Sequence, residues 1–243
     1  MKRLFLVSLL ITCTIGLSGA QVENLSSLLS PDVPIDAIPK DIALPDNVLP
    51  YLRKEFSDSI GKKGSFDVQF KIVYLITKIT NQPSKKYDVL EEIVLWEVKG
   101  SSKSVQKTII VSPDARVLAI NEIAKGKNPK HIETLLTVIE RDTTLQPRIA
   151  AAKVLSSFGE PNLTVPRLVF LLKNQYGASR AKFSENDTKR FEDDRVAQAI
   201  IETLGDIGDP RAFGVLLQTV LNPDRHRDET VKAAWEAMKK IKW

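Results

Sequence analysis

Apolar positions in the C-terminal half of the chain follow a helical spacing that recurs three times. In the clearest copy, an Ala-rich stretch from Val196 to Leu204 leads through a Gly-Asp-Ile-Gly-Asp-Pro turn to a second apolar stretch, Phe213 to Val220. Within each second stretch, the mainly apolar residues three, seven and ten positions after the turn proline share one face of an α-helix. The pattern predicts a helical hairpin. Because one hairpin cannot bury its own apolar face, neighbouring copies must stack.

The other two copies align with the first on the proline of the turn. Pro129, Pro161 and Pro210 each follow a turn that contains glycine or asparagine. Small residues in the first helix of each copy would let the helices approach closely, and they include Ala119, Ala151, Ala152 and Ala199. The three copies together predict an all-α solenoid.

The clearest copy resembles the Val-Arg-x-x-Ala-Ala-x-Ala-Leu-Gly-x-Ile-Gly-Asp-Pro pattern of HEAT repeats, particularly the short variety also found in phycobilisome-lyase subunits. The match is best at Val196 to Pro210, fair at Arg148 to Pro161 and weak at Arg116 to Pro129. Ala197 stands where the family usually has arginine. The resemblance implies a right-handed α-α superhelix of HEAT-like hairpins over residues 113–243.

The region before these repeats divides into two parts. Residues 21–45 are rich in proline, at a density that excludes a helix and predicts an extended lead segment on the first hairpin, or a linker. The prolines are Pro31, Pro34, Pro39 and Pro45. Residues 46–112 have apolar spacings that predict degenerate helical repeats, with Asp46 as the cap of the first helix. Ser112 followed by Pro113 predicts the start of another helix.

The first 20 residues have the features of a secretory signal peptide. A Lys2-Arg3 start precedes an apolar run from Leu4 to about Leu17, and small residues precede Gln21. We therefore predict export, with a mature N-terminus at Gln21. An uncleaved anchor helix and lipid attachment at Cys13 are the alternatives. No second apolar stretch is long enough to cross a membrane.

Cys13 is the only cysteine, so cleavage would leave none in the mature chain. Small extracellular domains of animals usually depend on disulfides, whereas bacterial periplasmic proteins often do not. This favours a periplasmic location over a secreted one.

Composition and motifs favour binding over catalysis. Removal of Lys2 and Arg3 lowers the formal net charge from +5 to +3, which does not indicate a nucleic-acid binder. The two histidines, His131 and His226, are far apart, and Glu133 would lie on a different helix face from His131. We find no catalytic, metal-binding or cofactor motif, so we predict that the chain is not an enzyme.

An insertion at residues 173–192 interrupts the repeats, and insertions in solenoids often lie on the binding side. Its aromatic residues alternate with cations, a combination that can hold an acidic partner. A mobile solvated loop is the alternative. The candidate binding residues are Tyr176, Arg180, Lys182, Phe183, Lys189, Arg190 and Phe191.

Three arginines near the starts of first helices, Arg116, Arg148 and Arg195, have two interpretations. They could form a basic ladder for an anionic ligand. In HEAT-like arrays, however, such arginines more often join neighbouring turns, and we favour that structural role.

These features together predict a non-enzymatic binding or scaffolding module that recognises a protein or peptide partner on a curved helical surface. Three alternatives remain open. They are an envelope assembly factor or chaperone, a cofactor-handling subunit like the phycobilisome lyases, and a lipid-anchored surface adhesin.

Overall fold

The computed structural model describes residues 19–62, 64–80, 83–96, 111–176 and 182–243. Within these ranges the secondary structure is helical, apart from an isolated bridge between Leu44 and Ile79. The α-helices are α1 (Gly19–Leu29), α2 (Leu49–Ser59), α3 (Phe66–Thr77), α4 (Pro83–Val94), α5 (Pro113–Gly126), α6 (Ile132–Arg141), α7 (Leu145–Val154), α8 (Pro161–Leu171), α9 (Thr188–Ile207), α10 (Phe213–Leu221) and α11 (Asp228–Lys239). The predicted all-α fold class is confirmed.

The helices pack in two layers that follow the order of the chain. In the first layer each helix contacts the next, in the order α3, α5, α7, α9 and α11. The second layer packs alongside it, with α4 on α5, α6 on α7 and α10 on α11. Contacts between sequence neighbours in this way give a solenoid-like fold.

The three hairpin turns share one backbone geometry. A residue in the left-handed conformation ends the first helix, and a proline two positions later opens the next helical element. The left-handed residues are Lys127 (φ 47°), Gly159 (φ 70°) and Gly208 (φ 71°). This common geometry explains why the turn prolines anchor the sequence alignment of the copies.

The start of α5 agrees with its sequence signal. The Ser112 hydroxyl accepts a hydrogen bond from the Ala115 backbone N–H at 3.3 Å, and Pro113 occupies the first helical position. Asp46 is different, because it lies within a short 3-10 turn, Asp46–Val48, and does not cap a helix. The α-helix after this turn begins only at Leu49.

Buried ion pairs join elements along the first layer. The Arg116 guanidinium is fully buried, pairs with Asp142 and donates to the Val94 carbonyl at 3.1–3.3 Å. Arg148 is also buried and pairs with Asp193 at 2.8 Å. These two arginines therefore hold neighbouring turns together, as the structural interpretation predicted.

The third of these arginines, Arg195, does not form a buried ion pair of this kind in the described part of the structure. Arg195 lies on the exposed side of α9, and its neighbour Asp194 is buried instead. Asp194 accepts a hydrogen bond from Arg227 Nε at 3.1 Å, so the cation at this step comes from the turn before α11. In the first two pairs the first-layer helix supplies the arginine, whereas here it supplies the aspartate. Sequence spacing alone did not show this difference.

Another buried pair joins the two layers near the N-terminal end. Lys86 Nζ on α4 lies 2.9 Å from Glu122 Oε1 on α5, and both side chains are buried. Burial alone would raise the pKa of Glu122, but hydrogen bonds from Lys125 and Lys86 lower it below its usual value. The hydrogen bond between these buried side chains restricts movement between α4 and α5.

The predicted lead segment is helical at its start, contrary to the expectation of an extended chain from residue 21. The helix α1 covers Gly19–Leu29 because the first proline, Pro31, comes only after it. Beyond α1 the chain lies on α3. There, Lys71 Nζ donates to the Ser30 carbonyl at 2.6 Å.

The predicted signal peptide, apart from its last two residues, lies outside the described residues. Among the helices that the structure describes, none has the combination of length and apolar character needed to cross a bilayer.

Candidate functional site

The described residues of the insertion are largely helical at its two ends. Its first residues continue α8 as a π-helical turn over Leu172–Tyr176, and its last residues, from Thr188, form the first turns of α9. The Asp187 side chain caps α9 by accepting a hydrogen bond from the Arg190 backbone N–H at 3.1 Å. Residues 188–192 are mostly polar, so apolar periodicity did not reveal this extension. The aspartate at the cap position was the available signal.

Tyr176 faces the protein interior. Its hydroxyl donates to the Ile139 carbonyl, and its ring centroid lies 5.2 Å from the Arg148 guanidinium. Burial raises the pKa of this hydroxyl above its usual value. Tyr176 therefore anchors the π-helical turn to α6 and α7.

The second half of the insertion is anchored to the turn before α11. Arg190 donates to the Lys182 carbonyl at 2.7 Å and to the Arg225 carbonyl at 3.1 Å. The Phe183 backbone N–H donates to the Asp224 carbonyl at 2.8 Å. These contacts hold residues 182–190 against the Pro223–Arg225 turn.

The remaining candidate residues lie apart from one another. The Phe191 ring is 5.2 Å from the Arg227 guanidinium, whereas Lys189 is exposed and pairs with Asp193 on its own helix. Arg180 lies outside the described residues. The structure thus brings Tyr176 and Arg190 to one cleft, and the other described candidates are not among the residues that line it.

This cleft lies between α8 with its π-helical turn and α10 with the turn that follows. One part is lined by residues that include Leu172, Lys173, Gln218 and Asn222, and the adjoining part by Tyr176, Arg190, Asp193 and Asp194. Arg225 and His226 line both parts, so the two parts adjoin at these residues. We call this feature the α8–α10 cleft.

A buried carboxylate fixes the histidine of the cleft. His226 Nδ1 lies 2.8 Å from Asp194 Oδ1, while Asp194 Oδ2 accepts hydrogen bonds from Thr230 at 2.6 Å and from the Arg227 backbone N–H at 3.2 Å. Burial alone would raise the pKa of Asp194, but the hydrogen bonds from His226, Thr230 and Arg227 lower it below its usual value. The His226 ring is therefore held in one orientation, and Nε2 has no hydrogen-bond partner among the described residues.

Two cations of the cleft, Lys173 and Arg225, are not neutralised by its acids. Asp193 pairs with Arg148 and Lys189, and Asp194 is bonded to His226 and Arg227. Within the described part of the chain, no acidic partner contacts the Lys173 ammonium or the Arg225 guanidinium. The cleft therefore carries a local excess of positive charge.

Exposed apolar side chains flank the cleft. Phe170 on α8 is 56% exposed and lies three residues before Lys173, so the two share a helix face. Leu221 on α10 is 69% exposed and lies three residues after Gln218, so these two also share a helix face. Both side chains are therefore available for contact with a partner.

Sequence reasoning missed the two residues that line both parts of the cleft, Arg225 and His226. His226 was considered only as a metal ligand, and its partner Asp194 is 32 residues away in the sequence. Pairing over such a distance leaves no periodic signal. The available signal was the acidic pair Asp193-Asp194, just before the Ala-rich stretch from Val196 to Leu204.

The chemistry of the cleft is suited to binding. The Thr219 hydroxyl beside His226 is buried and donates to the Val215 carbonyl at 3.2 Å, so it is already bonded. Elsewhere, His131 is fully buried beside Glu91 while Glu133 is exposed, as their predicted placement on different faces requires. Over the described ranges, no group of three His, Cys, Asp or Glu side chains could hold a metal ion.

Comparison with protein-family models and with curated proteins gives no match to this chain. The site geometry therefore carries the functional argument.

Proposed function

We propose that this chain is a non-enzymatic binding or scaffolding module, built from HEAT-like hairpins, that recognises a protein or peptide at the α8–α10 cleft. The observation that carries the proposal is the position of Phe170 and Leu221, both exposed, on either side of a cleft with uncompensated cations. Export to the cell envelope is part of the proposal and rests on the signal-peptide features of residues 1–20.

A rigid framework supports this function. The buried pairs of Arg116 with Asp142 and of Arg148 with Asp193 join successive elements of the first layer. Tyr176 attaches the insertion to α6, and Arg190 attaches it to the turn before α11. A surface that is ordered before binding loses little conformational entropy when a partner arrives, and this favours affinity.

The flanking side chains have the chemistry of an interface centre. Aromatic anchors and arginine dominate the binding energy of protein interfaces, and they act best where neighbouring contacts exclude water. Phe170 and Arg225 supply these two residue types, with Leu221 extending the apolar area. A polypeptide presents both apolar and charged groups at the spacing that such a surface requires.

Photo-crosslinking in the source organism tests the proposal. A benzoylphenylalanine at position 170 or 221 should give a discrete crosslinked species on irradiation, because both positions would face the bound partner. The matched control is position 195, where Arg195 is also exposed but lies on α9. The absence of an adduct at positions 170 and 221, or equal adduct formation at position 195, would overturn the proposed binding face.

A further inference from the structure

We infer that the α8–α10 cleft binds an acidic side chain, Asp or Glu, of a polypeptide partner through Lys173, Arg225 and His226. This inference rests on the proposed function and specifies the chemistry of the partner.

Charge complementarity is the first argument. The two acids that line the cleft are already bonded to Arg148, Lys189, His226 and Arg227. Lys173 and Arg225 also line the cleft, and neither has an acidic partner in the described part of the structure. A carboxylate placed between them would gain two charge-assisted contacts and would not displace an existing ion pair.

The second argument is the state of His226. Its side chain is more than nine-tenths buried, yet the ring lines both parts of the cleft. Asp194 binds Nδ1, which leaves Nε2 as the ring nitrogen for a ligand. A carboxylate bonds to Nε2 when this nitrogen carries a proton, as both ring nitrogens do in the imidazolium form.

The surroundings of the cations indicate which anion is bound. The guanidinium of Arg225 can bind two oxygens of a carboxylate or of a phosphate, so the choice between these anions depends on the groups beside it. Phe170 and Leu221 beside the cations favour a ligand with apolar groups next to its charge. A free phosphate has no such groups to offer, whereas an acidic residue between apolar residues in a peptide does.

A paired peptide array provides the test. Each peptide is made in two versions that differ only in a central Glu or Gln, with apolar residues on both sides and capped ends. The full chain is applied as wild type and as the Arg225→Gln and Lys173→Gln variants. The control is Lys232→Gln, which removes the same charge from an exposed position on α11. Thermal unfolding of each variant verifies that the fold is retained.

The wild type and Lys232→Gln should bind the Glu versions at least tenfold more tightly, about 1.4 kcal/mol, and Arg225→Gln and Lys173→Gln should lose this preference. Equal binding of the Glu and Gln versions by the wild type would overturn the carboxylate inference but leave the proposed peptide binding intact. If the wild type bound neither version, the result would count against both the carboxylate inference and the proposed peptide binding. Displacement of the bound peptide by inorganic phosphate, but not by chloride at equal ionic strength, would identify a phosphate site and overturn the inference.

Discussion

Replacement of Arg116 with methionine should lower the free energy of unfolding by about 3–5 kcal/mol. Arg116 is fully buried, and its loss would leave the Asp142 carboxylate without its cation in the interior. The Val94 carbonyl at the end of α4 would also lose its donor. Unfolding in urea, monitored by circular dichroism, measures the change.

The control for this substitution is Arg141→Met, which removes an arginine from an exposed position at the end of α6 and should change stability little. A double variant, Arg116→Met with Asp142→Leu, should recover much of the loss, because it removes both buried charges. A loss below about 1 kcal/mol in Arg116→Met, the range typical of surface ion pairs, would contradict the structural role of this residue.

Gly205→Ala should destabilise the fold by about 1–3 kcal/mol through overpacking. An added Cβ at position 205 would lie 2.7 Å from both the Cα and the Cβ of Ala237, so α9 and α11 would have to separate. Both helices belong to the first layer, and this contact attaches the last described helix to it. Thermal and urea unfolding both report the change.

Gly214→Ala is the matched control because the same methyl group is added inside another helix. At this position on α10, no atom outside the adjacent residues and the helix's own nearby backbone lies within 4 Å of the added Cβ. The change should therefore stabilise the chain by up to about 1 kcal/mol, the usual gain from replacing glycine in a helix. Equal effects of the two substitutions would be inconsistent with the close approach of α9 and α11.

Much of the fold could be predicted from local signals. Signals that act within a few residues are visible in the sequence. They are the turn prolines, the glycines two positions before Pro161 and Pro210, and Ser112 with Pro113. The sequence prediction missed α1 because it used the density of prolines over residues 21–45, although the first of these prolines, Pro31, follows the helix. The start of α9 was missed because its first turns are mostly polar.

The candidate site was less predictable because it depends on contacts between distant residues. The sequence correctly placed cations and aromatics in the insertion, but it could not show that Tyr176 turns inward to reach Ile139. Nor could it show that the Asp194 carboxylate holds His226 at the cleft. The position of a cleft between α8 and α10 is a result of packing, and periodicity does not encode it.

Hydrogen–deuterium exchange tests most directly whether the α8–α10 cleft is the binding face. The full chain is compared with and without the tightest-binding Glu peptide from the array. Slower exchange is expected in residues 169–176 and 214–226, which form the two sides of the cleft, while exchange in residues 115–126 of α5 stays unchanged. Slower exchange confined to α5, or no difference in residues 169–176 and 214–226 with the peptide bound, would contradict binding at this cleft.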